Sequence, residues 1–362
     1  MHTHTLQNSF KSLGITDLVL TPGASFRYLS GLSMHASERL TLLFVNKSGE
    51  KSALLPELEA ESARSADLLH IETYRDEEGP LRALCNLTRK MGFTSETVLG
   101  YEAQTIRMFE YQALTGASEV TFRAADDALT AIRLIKRDDE LAKIRRAAQI
   151  VDGALERSLP LFKVGMTELD VAAELEYQMR KLGSEGTPFA TIACAGPRGA
   201  LPHGGPTLSE IKRGDLVVLD YGAKIDGYAA DTTRTVSFGV PSEEALSIYE
   251  VVKMAQAAAV NAVKPGAVAQ DVDRAARKVI QKAGLGAYFT HRTGHGLGLD
   301  VHEYPSMMEG NELILAPGMV FTVEPGVYLP NKFGIRIEDD VCVTEVGVEV
   351  LTQFTRELHV ID

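Results

Sequence analysis

Four acids stand at the ends of apolar runs in the second half of the chain. Leu216-Val217-Val218-Leu219 leads into Asp220, and the chain then passes through Asp226-Gly227 and Ala229-Ala230 to Asp231. Met319 to Val323 leads into Glu324, and Gly334-Ile335-Arg336-Ile337 leads into Glu338. A carboxylate delivered into an apolar setting is costly unless something compensates its charge. Asp226-Gly227 is a strong signal for a two-residue hairpin loop. With that loop, Ile225 pairs with Tyr228 and Gly222 with Asp231. Side chains alternate along a strand, so Asp220 and Asp231 share a face as diagonal neighbours about 7 Å apart. Asn331, inside the loop-like Pro330 to Phe333, is the midpoint between Glu324 and Glu338. Pairing symmetric about it sets the two glutamates opposite each other. His203, His291, His295 and His302 all precede this second hairpin. The run from Thr290 to Glu303 is punctuated by Gly294, Gly296 and Gly298, which suits a backbone packed close to a ligand. Four carboxylates with one or two imidazoles form a hard, oxygen-rich donor set suited to Mn²⁺, Co²⁺, Fe²⁺ or Zn²⁺. Two dications would nearly neutralise it.

Three of these acids taken alone have a structural explanation. Asp220 could cap a turn, Asp231 could pair with Arg234, and Glu338 with Arg336. Two strand-borne acid pairs beside a glycine-framed histidine run are harder to explain that way. Competing motifs are weak. Gly294-His295-Gly296-Leu297-Gly298 lacks the dinucleotide fingerprint spacing, and Gly204-Gly205 is not followed by the Lys-Ser or Lys-Thr of a P-loop. Ser209 and Ser242 have no defensible histidine partner for nucleophilic catalysis.

The elements that must position these residues can be sketched. Leu141, Ile144, Ala148, Val151 and Leu155 recur at helical spacing and predict one buried face. A second helix is predicted from Thr167, with Asp170 completing a capping-box-like start, to Gly183; it should bury Leu169, Ala172, Leu175 and Met179. Two more are expected, from Ser242 to about Val263 and from Val268 to Gly284. Strand signals between and after them suggest helices covering one antiparallel, curved sheet. Upstream, Thr41 to Val45 and Ser52 to Leu55 read as neighbouring strands in a small α/β domain. His35 and His70 there are isolated and read as ordinary surface or core histidines. The fold class is thus α+β, with domains expected at residues 1–127 and 128–362.

Composition bounds the rest. A chain of 362 residues suggests two domains. With 37 basic and 49 acidic residues the net charge is −12 and neither half is basic, which argues against a nucleic-acid surface. No apolar stretch is long enough to span a bilayer. Cys85, Cys194 and Cys342 are too sparse for a disulfide framework and lack thiolate-zinc spacing. The start, Met1 to Thr5, lacks a basic segment followed by an apolar run. A cytoplasmic location is expected.

The segments LDYGAKIDGYAADTTRT, HRTGHGLGLDVHE, FTVEPGVY and GIRIEDDV, within residues 200–345, resemble the pita-bread dinuclear metallopeptidases. The leading domain looks like that of the proline-directed branch. The resemblance implies a creatinase-like N-terminal domain and a pita-bread (creatinase/aminopeptidase-like) catalytic domain. It implies Asp220, Asp231, His295, Glu324 and Glu338 as ligands of two divalent ions per subunit, with Mn²⁺ first and Co²⁺, Zn²⁺ or Fe²⁺ as alternatives. Asp231 and Glu338 would bridge. Glu324, His203, His302 and Arg336 are the implied catalytic residues, and His203, His291, His302, Tyr328 and Arg336 the implied substrate contacts. The implied activity is Xaa-Pro dipeptidase, with a hydroxide between the metals attacking the imide bond and proline following the scissile bond. Alternatives are Xaa-Pro aminopeptidase and an inactive peptide-binding module. No nucleic-acid or membrane partner is implied, and a homodimer is.

Overall fold

The computed structural model describes residues 2–64 and 66–362. The chain divides into two compact units at Arg133/Leu134. In the first, the elements run α1 (His2–Leu13), β1 (Asp17–Leu20), α2 (Ala24–Ser30), β2 (Leu42–Asn46), β3 (Lys51–Pro56), β4 (His70–Tyr74), α3 (Leu81–Lys90), β5 (Val98–Tyr101), α4 (Met108–Ala117), β6 (Thr121–Ala124) and α5 (Asp126–Leu134). The strands form one sheet in the order β4-β3-β2-β1-β5-β6. The strands read at Thr41 to Val45 and Ser52 to Leu55 are β2 and β3, paired antiparallel. Alternation sends Leu18, Leu20, Leu43 and Val45 to one core, with α1, α2 and α5. It sends Val19, Leu42, Phe44 and Leu99 to the other, with α3 and α4. Leu129 and Ile132 of α5 are buried in the first of these cores, so residues 128–133 go with the leading unit rather than with the second domain, where they had been expected.

The second unit contains α6 (Asp138–Ser158), α7 (Glu168–Lys181), β7 (Ile192–Ala195), β8 (Leu216–Ile225), β9 (Tyr228–Phe238), α8 (Glu243–Ala262), α9 (Ala269–Lys282), β10 (Gly294–Gly296), β11 (Glu303–Met307), β12 (Val320–Val323), β13 (Gly326–Leu329), β14 (Phe333–Arg336), β15 (Asp339–Val343), β16 (Val348–Val350) and β17 (Val360–Ile361). All five apolar positions read on α6 are buried. Helix α7 starts as expected, with Thr167 and Asp170 capping reciprocally, but Leu169 is 42% exposed and Val171 takes its place in the core. Helices α6 and α7 share a core with β7, β8 and β9. Helices α8 and α9 share another with β12 to β15. Each half is therefore a helix pair over an acid-bearing hairpin.

The single antiparallel sheet expected here is three groups of strands: β17-β9-β8-β7, β11-β10-β12-β15-β16, and β13-β14, with β17 running parallel to β9. The break between the last two groups falls at Glu324-Pro325 and Ile337-Glu338. Pro325 has no N–H to give the ladder. The Glu338 N–H turns away and donates to the Thr233 carbonyl at 3.0 Å.

Candidate active site

The Asp226-Gly227 turn carries φ of 48° and 80°, the left-handed pair that a tight hairpin requires. Ile225 pairs with Tyr228 and Gly222 with Asp231, as the sequence predicts. Asp220, opposite Thr233, therefore shares a face with Asp231. Neither acid ends its strand: the hydrophobic run before Asp220 continues as β8 through to the turn. The second hairpin is symmetric about Asn331 (φ 61°), with Val323 paired to Asp339 and Gly326 to Arg336. Glu324 and Glu338 occupy the interruption between those ladders, where neither side chain is committed to a packed sheet face.

Strand β9 sews the two hairpins together. Thr232 Oγ1 donates to the Glu338 carbonyl at 3.2 Å. Thr235 Oγ1 donates to the Arg336 carbonyl at 3.0 Å and accepts from the Arg336 N–H at 3.1 Å. Helix α9 holds the histidine run. Asp273 accepts from Thr293 N and Oγ1 at 3.0 and 2.7 Å, and Arg277 donates to the His291 carbonyl at 2.8 Å. The Glu324 N–H in turn donates to the Thr293 carbonyl at 2.8 Å.

These elements bring all ten expected site residues to the wall of one cavity of about 460 Å³: Asp220, Asp231, His295, Glu324, Glu338, His203, His291, His302, Tyr328 and Arg336. One donor atom each from Asp231, His295 and Glu338 lie within 4.8 Å of one another. His295 Nε2 is 3.3 Å from Glu324 Oε1 and 3.7 Å from Asp231 Oδ2. Its Nδ1 faces the Gly296 carbonyl at 3.1 Å. That contact assigns the proton to Nδ1 and leaves the Nε2 lone pair aimed at carboxylates. Burial, with His302 beside it, pushes the His295 pKa down to about 3, so the imidazole is neutral.

The acids show the complementary stress. Burial raises Asp231 well above the usual carboxylate range, and Glu338 and Asp220 add to the rise. Burial does the same to Glu338, aided by Glu324 and Asp220. Glu324 is pushed up to about 7, again chiefly by burial. Buried Oδ1 atoms of Asp220 and Asp231 have no hydrogen-bond partner among the described residues. A neutral imidazole lone pair, orphaned carboxylate oxygens and mutually repelling acids fit a compact group of high positive charge. A divalent metal ion is such a group. Hydroxyls orient the remaining oxygens: Thr233 donates to Glu338 Oε2 at 2.5 Å and Thr322 to Glu324 Oε1 at 3.1 Å.

The simpler ion pairs do not form. Arg234 is bound to Asp339 at 2.7 Å, not to Asp231. Arg336 pairs with Asp220 at 2.5 Å, not with Glu338. Arg336 also donates to Tyr328 OH at 2.8 Å, and Tyr328 OH reaches His291 Nε2 at 2.9 Å. Burial drives the His291 pKa down to about 4. Three features escaped sequence reasoning: the apolar wall of Phe189 and Ile192, the cavity-lining Arg292, and the threonine hydroxyls. The Thr-Thr-Arg-Thr string after Asp231 was the available sign of the last.

Residues 142–345 match metallopeptidase family M24, and residues 3–135 match the creatinase/prolidase N-terminal domain. An Xaa-Pro dipeptidase of Lactobacillus helveticus is 38% identical over 339 residues, 92% of each chain. A prolidase structure from Thermococcus sibiricus superposes with a TM-score of 0.92 at 36% identity, covering 99% of this chain and 98% of its own. An X-Pro aminopeptidase structure from Thermotoga maritima gives 0.85 at 32%, covering 98% and 100%. Both structures span the two units, and their likeness agrees with the α+β fold class expected. With a matched catalytic segment that contains every acid and histidine of the cavity wall, the chain belongs to metallopeptidase family M24.

Proposed function

We propose that this chain is an Xaa-Pro dipeptidase, which hydrolyses the imide bond of dipeptides ending in proline. The observation that carries the reading is the buried meeting of Asp231, His295 and Glu338 in a cavity of small-peptide size. The similarity to named Xaa-Pro dipeptidases and prolidases supports it. Asp220, Asp231, His295, Glu324 and Glu338 would hold two divalent ions, with Mn²⁺ the first candidate. Such ions lower the pKa of water toward about 7 and polarise a carbonyl.

The chain's own residues have separate tasks. Glu324 takes the proton released by the attacking water at a carboxylate oxygen and passes it to the leaving proline nitrogen. His203 and His302 hydrogen-bond the scissile carbonyl oxygen as it gains negative charge. His291, Tyr328 and Arg336 form a linked polar wall on the proline side. Phe189 and Ile192 offer the Xaa side chain an apolar surface. Proline's nitrogen has no hydrogen, so recognition works without that N–H. A cytoplasmic homodimer is the proposed setting, and light scattering of the purified protein tests the assembly.

Protein stripped with EDTA should regain Ala-Pro hydrolysis with Mn²⁺ or Co²⁺. Asp231→Asn should leave none above background and bind less metal. If no divalent ion restores hydrolysis, the inactive peptide-binding reading stands instead, although all five ligand positions are present. The similarity to an X-Pro aminopeptidase favours a second reading, cleavage of longer peptides. Faster turnover of Ala-Pro-Ala than of Ala-Pro would establish it.

A further inference from the structure

The charged run from Arg133 to Glu140 reads as solvent-facing, yet the Lys136 side chain is only 2% exposed. A lysine that far from water needs a partner. Its Nζ donates to Glu303 Oε1 at 2.5 Å, and the Glu303 side chain is itself 9% exposed. The backbone of Lys136 is fixed too. Its N–H donates to the Gly318 carbonyl at 2.8 Å, and a Cβ at Gly318 (φ 86°) would lie 3.0 Å from the Lys136 carbonyl oxygen. Gly318 in turn donates to the Val343 carbonyl at 2.9 Å, so the lysine stands on a base tied to β15. Glu303 is the first residue of β11 and follows His302 directly. It pairs with Gly296 across a register shift in the β10–β11 ladder, where residues 297–302 leave the sheet as a loop. Its carboxylate lies against that loop's backbone: a Cβ at Gly298 would meet Oε1 at 2.7 Å and Oε2 at 2.9 Å. The start of the loop is held by the Leu297 N–H on the Val320 carbonyl at 3.2 Å and by the Ala229 N–H on the Gly298 carbonyl at 2.8 Å. Among the described residues no hydrogen bond holds the His302 ring. It rests edge-on against His295, with centroids 4.2 Å apart.

An imidazole that meets a carbonyl oxygen as it gains negative charge works only from a fixed place. A misplacement of about 1 Å costs on the order of 100-fold in rate. The His302 ring has no anchor of its own, so its place is inherited from the chain on either side. On the C-terminal side that chain is Glu303, and a buried carboxylate keeps its place only while the matching ammonium keeps its own. Neither member of the pair lines the cavity. We propose that Lys136 and Glu303 are positioning residues: the buried pair fixes the end of the 297–302 loop and so sets His302 against the scissile carbonyl. The assignment rests on the peptidase reading above, in which His302 contacts that oxygen, and names what holds it there.

The test is a mutant cycle on Mn²⁺-loaded protein with Ala-Pro as substrate. The paired change Lys136→Met with Glu303→Gln removes both charges at similar volume, so no unpaired charge stays buried. It should lower kcat by about 10- to 100-fold and change KM by about threefold or less, with metal content and circular dichroism as in wild type. Lys136→Arg, which keeps the charge, should retain more activity than Lys136→Met alone. In a His302→Ala background the paired change should cost about twofold or less further, because the ring it places is already gone. The His302 ring resonances of metal-free protein, identified by their absence from His302→Ala, should move in the paired variant. Losses that multiply, ring resonances that stay put, or a wild-type kcat would each detach the pair from His302. Loss of fold or of metal would make it structural. Any of these overturns the proposal and leaves the peptidase reading standing. Wild type that cleaves Ala-Pro-Ala but not Ala-Pro overturns the dipeptidase reading alone, and the tripeptide then serves as substrate for the same cycle. Wild type that cleaves neither overturns both.

Discussion

At the scale of single residues, the site depends on groups that never face the ligand. Thr233 both donates to Glu338 Oε2 and accepts from Arg336 Nε, so one hydroxyl orients an acid and an arginine. Thr233→Val keeps the shape and removes both bonds. It should weaken divalent-ion binding by about 10- to 100-fold, measured by calorimetric titration of the stripped protein. His291 makes a pH prediction. Its pKa falls from 6.5 to about 4 on folding because burial disfavours the charged ring. Between those values the unfolded chain binds the proton and the folded one does not, so stability rises with pH across this window and is lost as pH drops from 6.5 toward 4. The full contribution is on the order of 3 kcal/mol. His291→Asn should flatten the denaturation midpoint between pH 4.5 and 6.5 relative to wild type.

At the scale of elements, the loop bearing His203 is tied down by one buried acid on α7. Glu168 accepts from Ala195 N and Thr207 N, both at 2.9 Å, from Thr207 Oγ1 at 2.8 Å, and from Arg198 Nε. Its two oxygens thus join both ends of residues 195–207. Arg198 adds a bond to the Gly205 carbonyl at 2.6 Å. Glu168→Ala strands buried backbone donors at about 1–3 kcal/mol each. It should lower the urea midpoint and raise KM for Ala-Pro, whereas Thr207→Val should do less. This clamp was invisible in the sequence, because Glu168 looks like any acid in a helix's first turn. What could be read there was local. The Asp226-Gly227 turn set the Gly222–Asp231 pairing, the midpoint at Asn331 set the second hairpin, and spacing marked the buried face of α6. Leu169 misled because its three-residue step to Ala172 fits the periodic template, although the inward place belongs to Val171, two positions on. Arg292, the Arg336–Asp220 pair and the division of the sheet depend on partners brought from far along the chain. No window of sequence contains both ends of those contacts.

At the scale of the molecule, the proposed ions act as ligands that bind the folded chain. Their donors come from both hairpins of the second unit and from the histidine run, so they are assembled only after all three have folded. A divalent ion at a thousand times its dissociation constant should add about 4 kcal/mol of stability. Thermal unfolding of the second unit should shift upward with Mn²⁺ in wild type and barely move in Asp231→Asn. The leading unit carries its own two-sided core, and its transition should be insensitive to the ion. The tight turn at Asp226-Gly227 has one further consequence. Strand side chains face opposite ways at odd and even steps. A single residue inserted at that turn, with β8 left in place, would rotate the whole of β9 by half a repeat. Asp231 would swing away from the cavity, and the hydroxyl seam would swing with it. An insertion of two residues preserves parity, and function should survive it where one residue more or one residue fewer destroys it.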